Sequence, residues 1–246
     1  AGEYLKIAVP KGYTYYWNCS YPNWAWLGAM INGNHKLSPN VKTITQINGD
    51  DDFGHSAATG TRLTTDTLGL QLEDVFYTPG TTDFYPLLTP VVKKNPDAIF
   101  TALTQGGDML LVIKQARELG YKGEIWAGES SWKDMVNIGG LQNIEGGRFL
   151  NSDFSSSIWP QAVRDAAVKW KAKFGTDMQF NSYLGYAVIN IYVKAIQKAG
   201  STDPEKVLKV FDDPNWSFSF WGDTQSKMRG LQTYGARRQT EGYQGL

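Results

Sequence analysis

Between residues 21 and 152, two patterns of hydrophobic and polar positions follow one another in turn. Short runs rich in β-branched residues are followed by longer segments whose apolar residues lie three or four positions apart. This pattern predicts strands at 41–47, 71–77, 97–103, 123–127 and 146–151, and helices at 24–31, 56–68, 83–94, 108–119 and 132–139. Strands that alternate with helices of this length predict right-handed βαβ units and a parallel sheet covered on both faces.

After residue 155 the pattern changes to long helical segments. The first helix has Pro160 in its first turn and ends at Gly175, and the third has Asp203 as its N-cap and Pro204 at its first position. The helix between them, "FNSYLGYAVINIYVKAIQKAG", is apolar over most of its circumference, so we expect it to be buried. No periodic element is predicted for the tail from Trp216 onward.

These later helices have few strands to cover, because Leu5–Pro10 is the one strand candidate outside the alternating region. A sheet of one strand is not a domain. We therefore expect residues 1–16 and 155–215 to be part of a second α/β lobe whose first strands are absent from the sequence. Residues 17–154 and 216–246 then form the other lobe.

Composition and charge exclude several classes of protein. The 246 residues carry 24 basic and 24 acidic side chains, and this zero balance argues against a nucleic-acid partner or an acidic membrane surface. No apolar run is long enough to span a bilayer and no signal peptide is seen, so we expect a cytoplasmic chain or one whose leader has been removed. Cys19 is the one cysteine, which excludes an intrachain disulfide and a cysteine zinc site.

The acidic stretch "NGDDDFGHSAATG" directly follows the strand predicted at 41–47. A calcium loop starting at Asp50 would need a glutamate at its twelfth position, which is Thr61, and the stretch lacks a phosphate-binding motif. Adjacent aspartates do not face each other as a catalytic pair. We interpret the stretch as the lip of a ligand cleft, in which the acids cap the next helix and Phe53 faces the ligand.

Two more candidate segments follow predicted strands. In "LTQGGDML", Gln105 and Gly106 precede a helix whose N-terminal N–H groups are available, and a plain tight turn is about as good an explanation. In "WAGESSWKD", Glu129 lies between Trp126 and Trp132, and a carboxylate against aromatic walls suits an ammonium or amide donor. Alternatively, Glu129 merely complements the dipole of a helix start.

Nothing in the sequence demands an enzyme. His35 follows Gly33 and Asn34 in a stretch that predicts a polar turn, and His55 lies near the predicted cleft without a paired serine, cysteine or carboxylate motif. The signatures of serine hydrolases, zinc proteases and thiol redox proteins are absent. We therefore expect no catalytic residue, no cofactor and no metal.

Six stretches resemble the substrate-binding proteins of branched-chain amino-acid ABC transporters, the type I periplasmic-binding-protein family. They are "VKTITQINGDDDFGHSAATG", "GTTDFYPLLTPVVKKNPDAIFTAL", "DMLLVIKQARELGYKGEIWAGE", "IEGGRFLNSDF", "FNSYLGYAVINIYVKAIQKAG" and "GLQTYGARRQ". The resemblance implies two Rossmann-like α/β lobes with parallel sheets, closing over a small ligand. It places the crossovers between lobes near 15–20, 152–155 and 213–218, and it implies that the first βα units of the first lobe are absent from this sequence.

The resemblance also implies which residues contact the ligand. Phe53 matches an aromatic contact, Gln105 and Gly106 match the turn that lines the second lobe, and Glu129 matches the acid that takes an α-ammonium group. Asn181 and Tyr183 lie near a first-lobe contact, and Trp132 completes the predicted ligand-binding set.

The resemblance implies that the chain is an extracytoplasmic, periplasmic solute-binding protein. It would bind an amino acid, aromatic acid or amide by lobe closure and deliver it to an ABC transporter permease. A ligand-sensing receptor domain of the same fold is the first alternative, and an α/β enzyme is the second.

Overall fold

A computed structural model of the protein describes residues 11, 15, 23–101, 106–150, 153–157, 159–213, 215–218, 226–229 and 239–241. The chain divides into two compact units. Pro22–Asn151 form one, which we call the sheet unit, and Ser152–Leu246 with Glu3–Tyr21 form the other, which we call the C-terminal unit. The predicted lobes differ from this division in where they place 216–246, and their boundaries stay a prediction. The predicted strand Leu5–Pro10 lies outside the described residues.

The sheet unit contains a five-stranded parallel sheet, as predicted from the alternating pattern. Its strands lie in the order β2-β1-β3-β4-β5. They are β1 (Thr43–Gly49), β2 (Gln71–Tyr77), β3 (Ala98–Phe100), β4 (Glu124–Ala127) and β5 (Arg148–Phe149). The helices are α1 (Asn23–Leu37), α2 (Asp52–Leu68), α3 (Tyr85–Lys94), α4 (Gly106–Glu118), α5 (Trp132–Asp134) and α6 (Leu141–Ile144), with a π-helical turn at Met135–Gly139 after α5.

Two element boundaries differ from the prediction near the candidate site. Helix α2 begins at Asp52 rather than at 56, because the side chain of Asp51 caps it by accepting a hydrogen bond from the Gly54 N–H at 2.7 Å. Strand β3 is shorter than the predicted 97–103, and residues 102–105 lie outside the described part of the chain.

Alternate residues of the central strands enter two separate cores. Ile47, Ile99 and Ile125 belong to the cluster that includes residues of α3 and α4. Phe100 and Trp126 belong to the cluster that includes residues of α1 and α2. Because successive side chains of a strand point to opposite faces, this division shows that helices cover the sheet on both sides.

Asp97 ties together the starts of β1 and β3. Its carboxylate accepts hydrogen bonds from the backbone N–H groups of Lys42 and Thr43, both at 2.8 Å, and from the Thr43 hydroxyl at 2.9 Å. These bonds, led by those from the two N–H groups, hold the pKa of Asp97 below its ordinary value. The amino-terminal edge of the sheet is thus occupied by structural contacts.

The C-terminal unit contains the three predicted helices, α7 (Gln161–Phe174), α8 (Phe180–Ala199) and α9 (Pro204–Phe211). Asp203 is the N-cap of α9, as predicted, and accepts from the N–H groups of Glu205 at 2.9 Å and Lys206 at 3.1 Å. Three short strands that the sequence did not predict form an antiparallel sheet: β6 (Ser217–Phe218), β7 (Ser226–Arg229) and β8 (Gln239–Glu241). Strands this short carry no visible alternation.

The prediction that α8 is buried around most of its circumference is wrong for one face. Ile191 and Ala195 pack in a core with α9, whereas Tyr186 is 51% exposed and Ile189 is 65% exposed. A helix with apolar residues on both sides needs a packing partner on each, and the described part of this unit covers one side.

Candidate functional site

Three segments with predicted ligand contacts lie at the carboxyl-terminal edge of the parallel sheet: the turn after β1, the start of α4 and the segment after β4. Strands β2 and β3 lie on opposite sides of β1, so the strand order reverses at β1. In open parallel sheets, ligands bind outside the carboxyl ends of the strands at such a reversal. The turn after β1 and the start of α4 therefore lie at the place where open parallel sheets bind small molecules.

The acids of the turn after β1 have structural partners. Asp51 caps α2, and the Asp50 carboxylate lies 2.8 Å from Nε2 of His55. The His55 ring in turn stacks on Phe76, with ring centroids 4.4 Å apart. These contacts support the interpretation of the acids as structural, and they give His55 a packing role.

Phe53 lies in the first turn of α2 with 46% of its surface exposed. Its neighbour Gly54 is buried against the end of β1, where an added Cβ would lie 2.0 Å from the carbonyl oxygen of Gly49. The close packing of Gly54 fixes the backbone beside Phe53, so this ring is presented to solvent from a rigid support.

The second predicted segment precedes and begins α4. Gly106 is the exposed first residue of α4, and Gln105 lies outside the described residues. Asp108, in the first turn of this helix, accepts a hydrogen bond from the Tyr77 hydroxyl at 2.9 Å. The start of α4 is therefore attached to the end of β2 through a side chain that the sequence analysis did not single out.

The third segment follows β4. Glu129 is half-buried, and Trp132 is 68% exposed at the first position of α5. Ser131 caps α5 by accepting from the Asp134 N–H at 3.0 Å. Trp126, by contrast, is fully buried and donates its indole N–H to Glu124 at 2.7 Å, so it is a core residue rather than a wall beside Glu129.

Two predicted contacts belong to the C-terminal unit and start helix α8. Asn181 is exposed, whereas Tyr183 is 5% exposed and stacks on Phe154 with ring centroids 5.0 Å apart. Trp159 and Phe180 complete the aromatic cluster around Tyr183. The ligand-contacting roles of all seven predicted residues stay a prediction.

A chain of buried polar side chains on β1 was missed by the sequence analysis. Gln46 and Asn48 are fully buried, and Nε2 of Gln46 donates to Oδ1 of Asn48 at 2.8 Å. Asn48 continues to Asp74 at 3.3 Å, and Asp74 forms an ion pair with Arg62. The signal was present as two amide side chains within a strand otherwise made of Ile, Thr and Gly, since buried polar groups need partners.

Within the described ranges, no three His, Cys, Asp or Glu side chains come together as a metal site. None of the helices in the same ranges has the length and apolar character needed to cross a bilayer.

A family model described as "Periplasmic binding protein" matches residues 6–237. Among solved structures, the chain is similar to a leucine binding protein from Thermotoga maritima MSB8. The identity is 25% and the TM-score 0.68, over 78% of this chain and 54% of that one.

Two further solved structures share the fold at lower identity. An amino acid ABC transporter substrate-binding protein from Pseudomonas fluorescens Pf-5 gives a TM-score of 0.72 at 16% identity, covering 92% of this chain and 59% of that chain. A fatty acid ABC transporter substrate-binding protein from Thermomonospora curvata gives 0.71 at 17% identity, covering 92% and 63%. This chain thus spans between 54% and 63% of the length of the three structures.

Proposed function

The chain belongs to the periplasmic binding protein family, and on that premise we propose that it is a solute-binding protein for an ABC transporter. The family and the neighbours named above are solute-binding proteins, not enzymes. We propose an amino acid, or a related small organic acid or amide, as the solute. An extracytoplasmic, periplasmic location follows from the same proposal.

The observation that carries the proposal is the exposed aromatic ring of Phe53 on a rigid turn at the sheet edge. When a ligand covers a large apolar side chain that is 46% exposed, the free energy of the complex is lowered. The backbone around it is fixed by the Asp51 cap and by the packing of Gly54 on Gly49. A rigid support favours binding, because little conformational entropy is lost when the ligand binds.

The other residues of the edge indicate the chemistry of the solute. The Glu129 carboxylate suits an ammonium group, and Trp132, which is exposed, adds a second aromatic surface. The start of α4 at Gly106 offers backbone N–H groups to a carboxylate. An amino acid with an apolar side chain satisfies all of these groups together.

Binding would work by closure of two lobes over the solute, each lobe contributing contacts that favour the closed state. For the first lobe, the exposed Asn181 is a stronger candidate than the buried Tyr183. The lobes are those predicted from the sequence, with crossovers near 15–20, 152–155 and 213–218.

Calorimetric titration of the full-length protein with L-leucine, L-phenylalanine, benzoate and benzamide tests the proposal. We expect saturable binding of at least one compound, and no binding of any would contradict it. Co-purification with a permease separates transport from ligand sensing, because a sensing domain of the same fold would bind the solute without that partner.

A further inference from the structure

We propose that Tyr77 is a positioning residue that fixes the start of α4 relative to the turn after β1. This inference rests on the proposed function, in which both segments contact the solute. Tyr77 is the last residue of β2 and lies opposite Gly49 in the register of β1. It therefore lies at the carboxyl end of the outer strand, beside the end of β1.

The backbone and the side chain of Tyr77 bond in two directions. Its carbonyl oxygen accepts from the N–H of Asp50 at 2.7 Å, which holds the first residue of the turn after β1. Its hydroxyl passes close to Gly49, where an added Cβ would lie 3.8 Å from it, and donates to Oδ2 of Asp108 at 2.9 Å. One residue thus connects two segments that are far apart in sequence.

The ring of Tyr77 is held rigidly. It is 4% exposed and packs edge-on against Phe84, with centroids 5.0 Å apart and an interplanar angle of 78°. Phe84 is fully buried, and its N–H donates to Oε1 of Gln115 on α4 at 2.6 Å. A hydroxyl on so confined a ring has a fixed position, so it sets the position of the Asp108 carboxylate.

This geometry has a direct consequence for the candidate site. Asp50 lies near Phe53 in the chain, and Asp108 lies near Gly106. The distance between the aromatic contact and the start of α4 is therefore set by a residue that need not touch the solute. Removing the hydroxyl with Tyr77→Phe keeps the packing of the ring and releases the bond to Asp108.

The chain offers a matched control in Tyr85→Phe. The Tyr85 hydroxyl donates to the Glu118 carboxylate at the other end of α4. Tyr85→Phe therefore removes the same kind of bond from the same helix, away from the sheet edge. If the tyrosine–carboxylate bond only stabilised the helix, loss of the bond at either end would have the same effect.

Hydrogen–deuterium exchange of the unliganded, full-length protein tests the connection. We expect Tyr77→Phe to raise the exchange of amides 110–114, the first that bond within α4, about three- to tenfold, the effect of losing one net hydrogen bond. Amides 50–54 should change much less, because Asp50 bonds to the backbone of Tyr77. Unchanged exchange at 110–114, or an equal rise in Tyr85→Phe, would overturn the proposal.

Affinity for L-leucine provides the functional readout. We expect Tyr77→Phe and Asp108→Ala each to weaken binding about fivefold, and the double variant to be no worse than either. Asp108→Asn should bind nearly as wild type, because its amide oxygen still accepts from the hydroxyl. Additive losses would contradict the coupling. If the wild-type protein binds none of the four compounds, the proposed function fails, while the exchange experiment still decides the role of Tyr77.

Discussion

Gly54 packs against the carbonyl oxygen of Gly49 so closely that an added Cβ would lie 2.0 Å from that oxygen. Gly49 ends β1, and Gly54 lies in the first turn of α2, so the contact sets the start of the helix directly on the end of the strand. Because the obstructing atom belongs to the backbone, a side chain at this position cannot be accommodated by a change of rotamer. The position of Phe53 depends on this contact.

Gly54→Ala should lower the free energy of unfolding by about 1–3 kcal/mol, the usual cost of overpacking. Urea denaturation measures this loss. Gly33→Ala is the matched control, because it also lies in a helix of the sheet unit and an added Cβ there meets no atom within 4 Å. We expect Gly33→Ala to be neutral or stabilising, since alanine favours the helix. If the two substitutions changed the free energy of unfolding equally, the contact with Gly49 would not be the cause of the loss.

Asp51→Ala should destabilise the protein by about 1 kcal/mol, because the Gly54 N–H loses its acceptor. Asp51→Asn keeps a side-chain oxygen at the N-cap and should lose much less. The comparison uses urea denaturation of the two variants under the same conditions. If Asp51→Asn were as unstable as Asp51→Ala, the charge and not the cap would be responsible.

The stabilising effect of Asp97 should depend on pH. Its folded pKa is lowered, first by the N–H groups of Lys42 and Thr43, so the unfolded state binds the proton more tightly. The contribution is therefore present above the unfolded pKa of about 3.9 and is lost as the pH falls through the folded value. The stability difference between wild type and Asp97→Asn, measured by urea denaturation, should shrink below about pH 4. A difference that is the same at pH 7 and pH 3 would contradict this explanation.

Phe53→Ala should weaken solute binding about tenfold, the loss expected when an aromatic ring no longer covers an apolar ligand. The ring is 46% exposed, so the thermal unfolding temperature should change little. Leu63→Ala is the control, because Leu63 lies on the same helix and is 62% exposed. Calorimetric titration with L-leucine compares the two. An equal effect on affinity would remove Phe53 from the site.

Glu129→Ala should cost on the order of 2–5 kcal/mol of binding free energy for a solute that carries an ammonium group. The matched pair of probes is L-leucine and its keto acid, 4-methyl-2-oxopentanoate, which lacks the amine. We expect the substitution to weaken binding of L-leucine much more than that of the keto acid. If both probes lose affinity equally, Glu129 does not recognise the ammonium.

The parallel sheet could be predicted from the sequence because each strand of the alternating region carries its own local signal. The capping of helices by Asp51 and Asp203 could also be predicted, because it follows from residue type and position next to a helix. Phe53 could be placed at the sheet edge because the turns after parallel strands meet there.

The remaining features depend on contacts between distant parts of the chain. Tyr77 and Asp108 are 31 residues apart, and nothing local to either indicates the bond. The exposed side of α8 could not be predicted, because an apolar helix surface does not specify whether a partner covers it. The strands β6, β7 and β8 are too short for their alternation to be visible.

Calorimetric titration of the full-length protein with L-leucine, L-phenylalanine, benzoate and benzamide tests the central claim most directly. It should be done at two temperatures, because burial of apolar surface gives a negative heat-capacity change and the heat of binding cannot vanish at both. We predict saturable binding of at least one compound, with a more exothermic reaction at the higher temperature. No heat above dilution for any compound at either temperature would contradict a solute-binding function for this class of ligand.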